Sequence, residues 1–414
     1  MLKRIFSAAL FLFALAAFPC GAHAQAKLTS RHTDAYFSTV SALFLYVTPE
    51  DSSRFSGVWS QVKSILEDVE RSVSLSFEDS DISRFNTLSA GESMPISQIT
   101  AEILSVAFDV YNLTEGLYDP TVYPLVDLWG FSPRFNTGAY SPAAPYDRAY
   151  QNGKLPLPSD AHIEALLELV GLDGITLYEQ DGIWYLEKRT PSITLDGVTI
   201  HAQIDLGGIA KGYACDRIRD YLLEQGFTQG HFVCGDSSMA ILSRPTDDGL
   251  YSLTLGKPRP GNSRDSHYAA VRIRDTALST SSDATHAYTV DGVRYCHIID
   301  PRTGYPMNMP QGGLQRGACS ATLLCPSAAF GDAMSTALCL MPPAEAAAYI
   351  SAHLPDALCT IAYYRSDCDT LEVMTSAADL IWSDNAYIPA SQISGDGTIR
   401  YTGSFFSPSF SEEP

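Results

Sequence analysis

Hydrophobic and polar positions along this chain change period several times, and each change predicts an element. Residues 33–49 alternate in a strand-like way, and residues 55–72 repeat at helical spacing. Ser80-Asp-Ile-Ser-Arg-Phe-Asn86 then reads as a polar loop. Between Thr100 and Leu113, Ile103, Leu104, Ala107, Val110 and Tyr111 share one helical face, and Gly116 marks its stop. Residues 132–158 carry Pro, Gly, Asn and Tyr without periodicity, as a long surface loop would. Ser159 is a good N-cap for a helix whose apolar positions run through Leu166, Leu167 and Val170. Residues 175–204 predict several strands, with turns at Gln180-Asp-Gly and Asp196-Gly. Helix follows from about Ile209 to Gln225, closed by Gly226, and residues 231–300 read mostly as strands. A Gly/Pro-rich excursion, Met307 to Ala318, precedes a strand ending near Cys325 and a helix starting near Ser327. The C-terminal tail is polar, aromatic and irregular, and the chain shows no internal repeat.

A chain of 414 residues with 45% hydrophobic content can build two core-forming units. Its formal charge of −20 argues against non-specific nucleic-acid binding and offers little to an anionic membrane surface. A local basic pocket for phosphate stays compatible with that balance. The N-terminus reads as an export signal over residues 1–24. Lys3 and Arg4 form its charged start, Ile5 to Phe18 its apolar stretch, and Ala22-His-Ala24 its cleavage site. That stretch is short of the roughly 20 residues a bilayer span needs. Lipid attachment at Cys20, giving a membrane tether, is the alternative, and the preceding Ala-Phe-Pro suits it poorly. Eight of the nine cysteines follow residue 214, with no C-x-x-C pair. Export permits disulfides, free buried thiols suit several of these cysteines better, and a zinc site lacks the ligand spacing it would need.

Three segments carry candidate chemistry. Ile204-Asp-Leu-Gly-Gly-Ile-Ala-Lys-Gly-Tyr213 is a glycine-rich turn, read as following a strand and opening a helix, so that backbone and helix N-terminus can approach a phosphate and Lys211 can add charge. Close strand-to-helix packing would demand the same glycines, and the spacing is neither a Walker loop nor a dinucleotide fingerprint. Asp332 and Thr336, four apart in Phe330-Gly-Asp-Ala-Met-Ser-Thr336, share a helix face and offer hard oxygen ligands for Mg²⁺. On spacing alone, a carboxylate favoured by the helix dipole beside a solvated threonine is the simpler reading. His297 opens His297-Ile-Ile-Asp-Pro-Arg-Thr-Gly-Tyr-Pro306, where alternation puts His297 and Ile299 on one strand face and Asp300 to Gly304 form a turn. Beside a phosphate it could act as general base, although a lone strand histidine is more often structural. Leu278-Ser-Thr-Ser-Ser-Asp283 is a hydroxyl-rich turn, or an ordinary loop. Tyr118-Asp-Pro-Thr121 with Leu128-Trp-Gly-Phe131 fits a pocket edge or plain core packing. No Gly-x-Ser-x-Gly elbow is present, so serine hydrolase chemistry lacks support.

In this order the segments resemble the ApbE family, Mg²⁺-dependent FAD:protein FMN transferases. The likeness runs over roughly residues 33–375, and the pairing of the Asp205 and His297 motifs is its most specific part. It reverses the plainer readings above. The resemblance implies an α+β fold of two mixed sheet-and-helix lobes over residues 25–375, with the flavin nucleotide in the cleft between them and residues 376–414 as an extension. It implies Mg²⁺ held by the Gly208 carbonyl, Asp332 and Thr336. FAD would be contacted by Leu117, Tyr118, Asp119, Asp205, Lys211, Ser281, Asp283 and Ile299. Tyr36-Phe-Ser-Thr39 sits where the family has Met-Gly-Thr, so Phe37 would take the place of a flavin-contacting methionine, and the flavin-stacking aromatic falls at Ser76 or Phe77. His297 would take the proton of a threonine hydroxyl on an acceptor protein as it attacks the FMN phosphorus and AMP leaves.

Three departures stand out. Val233-Cys-Gly-Asp-Ser-Ser238 replaces the family's Asn-x-Gly-Gly, Ser281-Ser282 replaces a serine-glycine, and Met307 to Ala318 is inserted before the metal helix. The first two bear on the fit of the adenine or ribose, the third on access for the acceptor. Two other functions use the same residues: FAD hydrolysis to FMN and AMP, with water in place of threonine, and non-catalytic FAD binding. The intact base and metal set disfavours the second.

Overall fold

The computed structural model describes residues 26–135, 157–235, 237–258, 267–307, 318–364, 371–375, 380–381 and 399–404. The export signal, Cys20, most of the 132–158 loop and most of the Met307–Ala318 excursion lie outside the described residues. Eight helices are described: α1 (Phe55–Val73), α2 (Asp81–Asn86), α3 (Gln98–Leu113), α4 (Tyr123–Leu128), α5 (Asp160–Leu167), α6 (Ala210–Glu224), α7 (Ala328–Cys339) and α8 (Pro343–His353).

A nine-stranded sheet organises the molecule. Its strands lie side by side in chain order: Lys27–Tyr36, Thr39–Val47, Gly230–Cys234, Ser238–Ile241, Thr276–Ser282, Ser320–Cys325, Leu358–Tyr364, Leu371–Thr375 and Ile399–Ser404. All neighbours run antiparallel except the last pair. Every residue of Ser320–Cys325 is buried, because both faces of the sheet are covered there. On one face, α1, α3, α6 and α7 enclose the main core, which includes Leu43, Val62, Ile103, Ile218 and Leu323. A second cluster on other strand positions joins Leu278 and Leu324 to Tyr251, Val271 and Ile273 of the hairpin Tyr251–Gly256 with His267–Ile273. A third gathers Leu125, Trp129, Ile163, Tyr295 and Ile299 around α4 and α5. The mixed α+β architecture therefore agrees with the sequence reading.

Hairpins form where expected. Asp181-Gly182 and Asp196-Gly197 both adopt positive φ, the geometry that joins strands through a two-residue turn. Phe37 and Ser38 do the same without a glycine, at φ 54° and 51°.

Three local expectations fail. Ser80–Asn86 is not a loop: Ser80 caps Asp81–Asn86, its Oγ accepting the Ser83 N–H at 3.0 Å. Its polar side chains are buried because they have partners, with Asp81 Oδ2 accepting Ser97 N–H at 2.8 Å and Thr100 Oγ–H at 2.7 Å. His297 lies outside any strand, between Val293–Cys296 and a lone bridge of Ile299 to Pro306. Both Ile298 and Ile299 are buried, one in the main core and one in the third cluster. Residues 201–206 join no ladder, so the turn at Asp205 follows an unpaired extended segment rather than a strand.

Candidate functional site

The unpaired segment before Asp205 is held by side chains. Asn86 Nδ2 donates to Ile204 O at 2.9 Å, and Ile204 N–H donates to Asn86 Oδ1 at 2.8 Å. A buried amide thus gives Ile204 the two bonds a neighbouring strand would give. Asp205 N–H then reaches Pro120 O at 3.0 Å, tying the turn to the Tyr118 loop. Within the turn, Gly207 N–H donates to Asp205 Oδ1 at 2.8 Å, and Lys211 Nζ reaches back one helical turn to Gly207 O at 3.0 Å. Burial raises the Asp205 pKa; the Gly207 N–H and Lys211 oppose the shift.

Helix α7 lies across α6 with almost no side chain between them. A β-carbon on Gly212 would meet Ala328 O at 2.2 Å, so only glycine fits. The Asp216 carboxylate of α6 accepts Ala328 N–H at 2.9 Å, Ala329 N–H at 3.0 Å and Ser327 Oγ–H at 2.8 Å, capping the start of α7. Nearly all of Ala328–Cys339 is buried, which its Ala, Gly and Ser content permits at close approach to the sheet.

This packing fixes three oxygen-bearing residues at one place. Asp332 is 3% exposed, and its Oδ2 accepts Gly212 N–H at 3.0 Å. Burial raises its pKa, offset by Lys211 and the Gly212 N–H. Thr336 Oγ1 lies 3.3 Å from Asp332 O and 2.9 Å from Ser281 Oγ, which is also 2.8 Å from Ser335 Oγ. Gly208 faces them: a β-carbon there would stand 3.9 Å from Thr336 Oγ1 and 3.7 Å from the Tyr118 ring. A buried carboxylate, a hydroxyl and a backbone carbonyl suit a hard divalent cation, and the carboxylate's burial makes a positive partner favourable. No group of three His, Cys, Asp or Glu side chains among the described residues is placed to hold a metal.

His297 lies within electrostatic reach of Lys211. Its pKa is pushed down to about 4 by burial first, then by His286 and Lys211. It is therefore a neutral imidazole at neutral pH. Nδ1 is buried without a hydrogen-bond partner, and the His286 ring stands 5.4 Å away, centroid to centroid. The loop beneath is stiff. Arg302 donates to Asp300 from N–H, Nε and Nη2 at 2.9, 2.9 and 2.7 Å, and Gly304 O accepts the Trp129 indole N–H at 2.8 Å. Trp129 is core, not pocket wall.

Of the other candidates, only Tyr118 has a contact with this group, through Gly208. The Tyr118 ring reaches Gly208, whereas the Asp119 carboxylate is turned to Thr121, accepting its N–H at 2.8 Å and its Oγ–H at 2.6 Å. Burial holds Asp119 up at about 6. Leu117 packs on the main core, Ile299 is buried in its bridge, and Asp283 is buried with its N–H on Cys319 O at 3.0 Å. Phe37 and Phe77 are placed by the end of α1. Phe37 N–H donates to Glu70 Oε1 at 2.7 Å, and the Arg71 guanidinium covers the Phe77 ring at 4.9 Å. The seven described cysteines are all buried.

Sequence reasoning missed three supports. Asn86 lay inside a quoted motif but had no role assigned, and neither Asp216 nor Lys188 was singled out. Lys188 is fully buried, donating to Asn86 O at 3.3 Å and Leu88 O at 2.8 Å over the Phe85 ring, and burial lowers its pKa to about 8.

The ApbE family model matches residues 38–361, most of the chain, including Asp205, Lys211, His297, Asp332 and Thr336. The chain belongs to the ApbE family. Among ApbE relatives, the FAD:protein FMN transferase of Vibrio cholerae serotype O1 is 29% identical over 282 residues, 68% of this chain and 72% of that protein. The FAD:protein FMN transferase of Escherichia coli K12 is 26% identical over 296 residues, 72% and 74% of the two chains. The solved structure of the flavin transferase ApbE from Vibrio cholerae superposes with a TM-score of 0.64 at 26% identity, covering 85% of this chain and 98% of that one.

Proposed function

We propose that this chain is an FAD:protein FMN transferase. It moves FMN from FAD to a threonine hydroxyl of an acceptor protein, releases AMP and uses Mg²⁺. One observation carries the reading: the buried Asp332 is bonded to Gly212 N–H at the start of α6, one turn before Thr336, whose hydroxyl meets Ser281 and faces Gly208. Hard oxygen ligands thus gather at a helix N-terminus that suits a phosphate, in a family whose named relatives perform this transfer.

The roles follow from the chemistry. Gly208 O, Asp332 and Thr336 would hold Mg²⁺, which neutralises charge on the diphosphate oxygens. Lys211 and the positive end of the α6 dipole attract the same anion. The threonine oxygen attacks the FMN phosphorus, forming a P–O bond while the bond to the AMP oxygen breaks. The hydroxyl proton passes to the neutral His297 ring, and AMP leaves with the bridging oxygen and its electron pair. A base of this kind contributes about 10²–10⁴-fold. The charged start, apolar stretch and Ala22-His-Ala24 pattern support export of the protein without residues 1–24.

Incubation with FAD, Mg²⁺ and an acceptor domain tests the proposal. Covalent flavin on the acceptor with stoichiometric AMP is expected, and His297→Ala and Asp332→Ala should abolish both. AMP with no flavinylated acceptor would instead favour FAD hydrolysis. An N-terminal mass from secreted material distinguishes cleavage after Ala24 from a lipidated Cys20.

A further inference from the structure

A second imidazole stands beside His297. The hairpin Ala287–Val290 with Val293–Cys296 is flanked by two histidines, His286 before its first strand and His297 after its second. His297 N–H donates to His286 O at 3.1 Å, and the two rings stand 5.4 Å apart, tilted by 60°. Their settings differ. His286 is exposed, whereas His297 is partly buried with its Nδ1 sealed inside and without a hydrogen-bond partner. That leaves Nε2 as the nitrogen open to the substrate. His201 and His231 also seal Nδ1 without a partner, so the orphan atom alone points nowhere. The rings against His231 are Phe44 and Tyr251, neither of them a base; the ring against His297 is an imidazole.

His286 is held in this place at a cost. Its φ of 48° is left-handed, a region histidine adopts rarely. The loop before it is braced by Asp283 N–H on Cys319 O at 3.0 Å and by the Arg294 guanidinium, which donates to Asp283 O at 3.2 Å and Ala284 O at 3.1 Å. No side-chain hydrogen bond among the described residues holds the His286 ring, so it can turn a nitrogen towards Nδ1. A proton delivered to His297 also needs a way out. Burial, His286 and Lys211 all disfavour the charged His297 ring, and the phosphate of departing AMP leaves as an anion without needing that proton.

We propose that His286 receives the proton from His297 and passes it to water. The threonine O–H gives its proton to Nε2 of His297, Nδ1–H of the resulting imidazolium gives its proton to a His286 ring nitrogen, and His286 releases it to water. Once the product has left, Nε2 returns its proton to water and Nδ1 regains one through His286, which restores the starting tautomer. The inference rests on the transferase reading and deepens it: His286 acts through His297, not on the substrate.

His286→Asn and His286→Gly test this, because both residues accept the left-handed backbone and neither carries a base. Histidine-selective ¹⁵N NMR of the free protein reads the His297 tautomer and the exchange of its ring N–H with water. Nδ1–H is expected in wild type, exchanging at least about tenfold more slowly in both variants. In single-turnover AMP release with an acceptor, the variants should be at least about tenfold slower at unchanged FAD affinity, and added imidazole should restore most of the loss. An Nε2–H tautomer in wild type, or equal exchange in all three proteins, would overturn the proposal. So would an undiminished rate, or a loss that imidazole does not repair. The exchange measurement does not depend on turnover. If wild type makes neither AMP nor flavinylated acceptor, the transferase reading fails, and exchange still decides whether the two rings share a proton path.

Discussion

Replacing Gly212 with alanine sets two known effects against each other. Alanine favours a helix interior over glycine by about 1 kcal/mol. Its methyl group, however, would lie 2.2 Å from Ala328 O, 2.6 Å from Ala328 C and 2.8 Å from Ala329 Cα, all backbone atoms. No side chain can swing aside, so α6 and α7 must separate by roughly 0.8 Å for the closest contact to reach even 3.0 Å. Overpacking of this sort costs about 1–3 kcal/mol, and rigid backbone partners place it at the upper end. The net expectation is a loss of about 1–2 kcal/mol in urea unfolding. The same movement stretches the Gly212 N–H bond to Asp332 and carries Asp332 away from Gly208. A shift approaching 1 Å can cost about 10²-fold in rate. Gly57 is the control: exposed in α1 with nothing within 4 Å of its β-carbon position, it should gain about 1 kcal/mol on becoming alanine and keep full activity. If Gly212→Ala matches wild type in unfolding midpoint and AMP release, the helix crossing has slack and does not position the site.

Further tests address individual groups. His297 and His231 are neutral in the fold, with pKa values lowered to about 4 from 6.5, so below pH 6.5 the unfolded chain binds more protons. Their contribution to stability is therefore complete above pH 6.5 and falls away towards pH 4. His297→Ala should flatten part of that slope in pH-dependent unfolding, and the acid limb of kcat/KM for the free wild-type enzyme should lie near 4, not 6.5. Asp332→Asn should weaken Mg²⁺ binding by at least about 10²-fold in calorimetry while leaving the unfolding midpoint equal or higher, because a buried charge is removed. Asn86→Ala leaves the Ile204 N–H and C=O unpaired and should cost at least about 2 kcal/mol in unfolding, with the KM for FAD raised through loss of the Asp205 turn.

The sequence carried the periodic elements well, because burial on one face writes itself into apolar spacing. The helices α1, α3, α6 and α7 and the Asp-Gly hairpins were all legible for that reason. Ser80–Asn86 was not. It is a short helix whose Asp81 and Asn86 point inward, and their partners, Ser97, Thr100 and Ile204, come from distant segments. Polar residues that are satisfied internally look the same in sequence as polar residues facing water. His297 was read as the base, and its strand setting was not correct, since the bridge at Ile299 and the Arg302–Asp300 bonds shape a loop instead. Lys188 escaped notice for a similar reason: a lysine stabilised by carbonyls and a ring has no sequence signature. The sheet order was also illegible, although it proves to follow chain order.

The central claim is most directly tested by mass spectrometry of an acceptor protein after reaction with the full enzyme, FAD and Mg²⁺. The account expects one FMN-sized addition on a threonine of the acceptor, matched by one AMP, and none with His297→Ala. An unmodified acceptor alongside complete conversion of FAD, or an equal yield from His297→Ala, would contradict it.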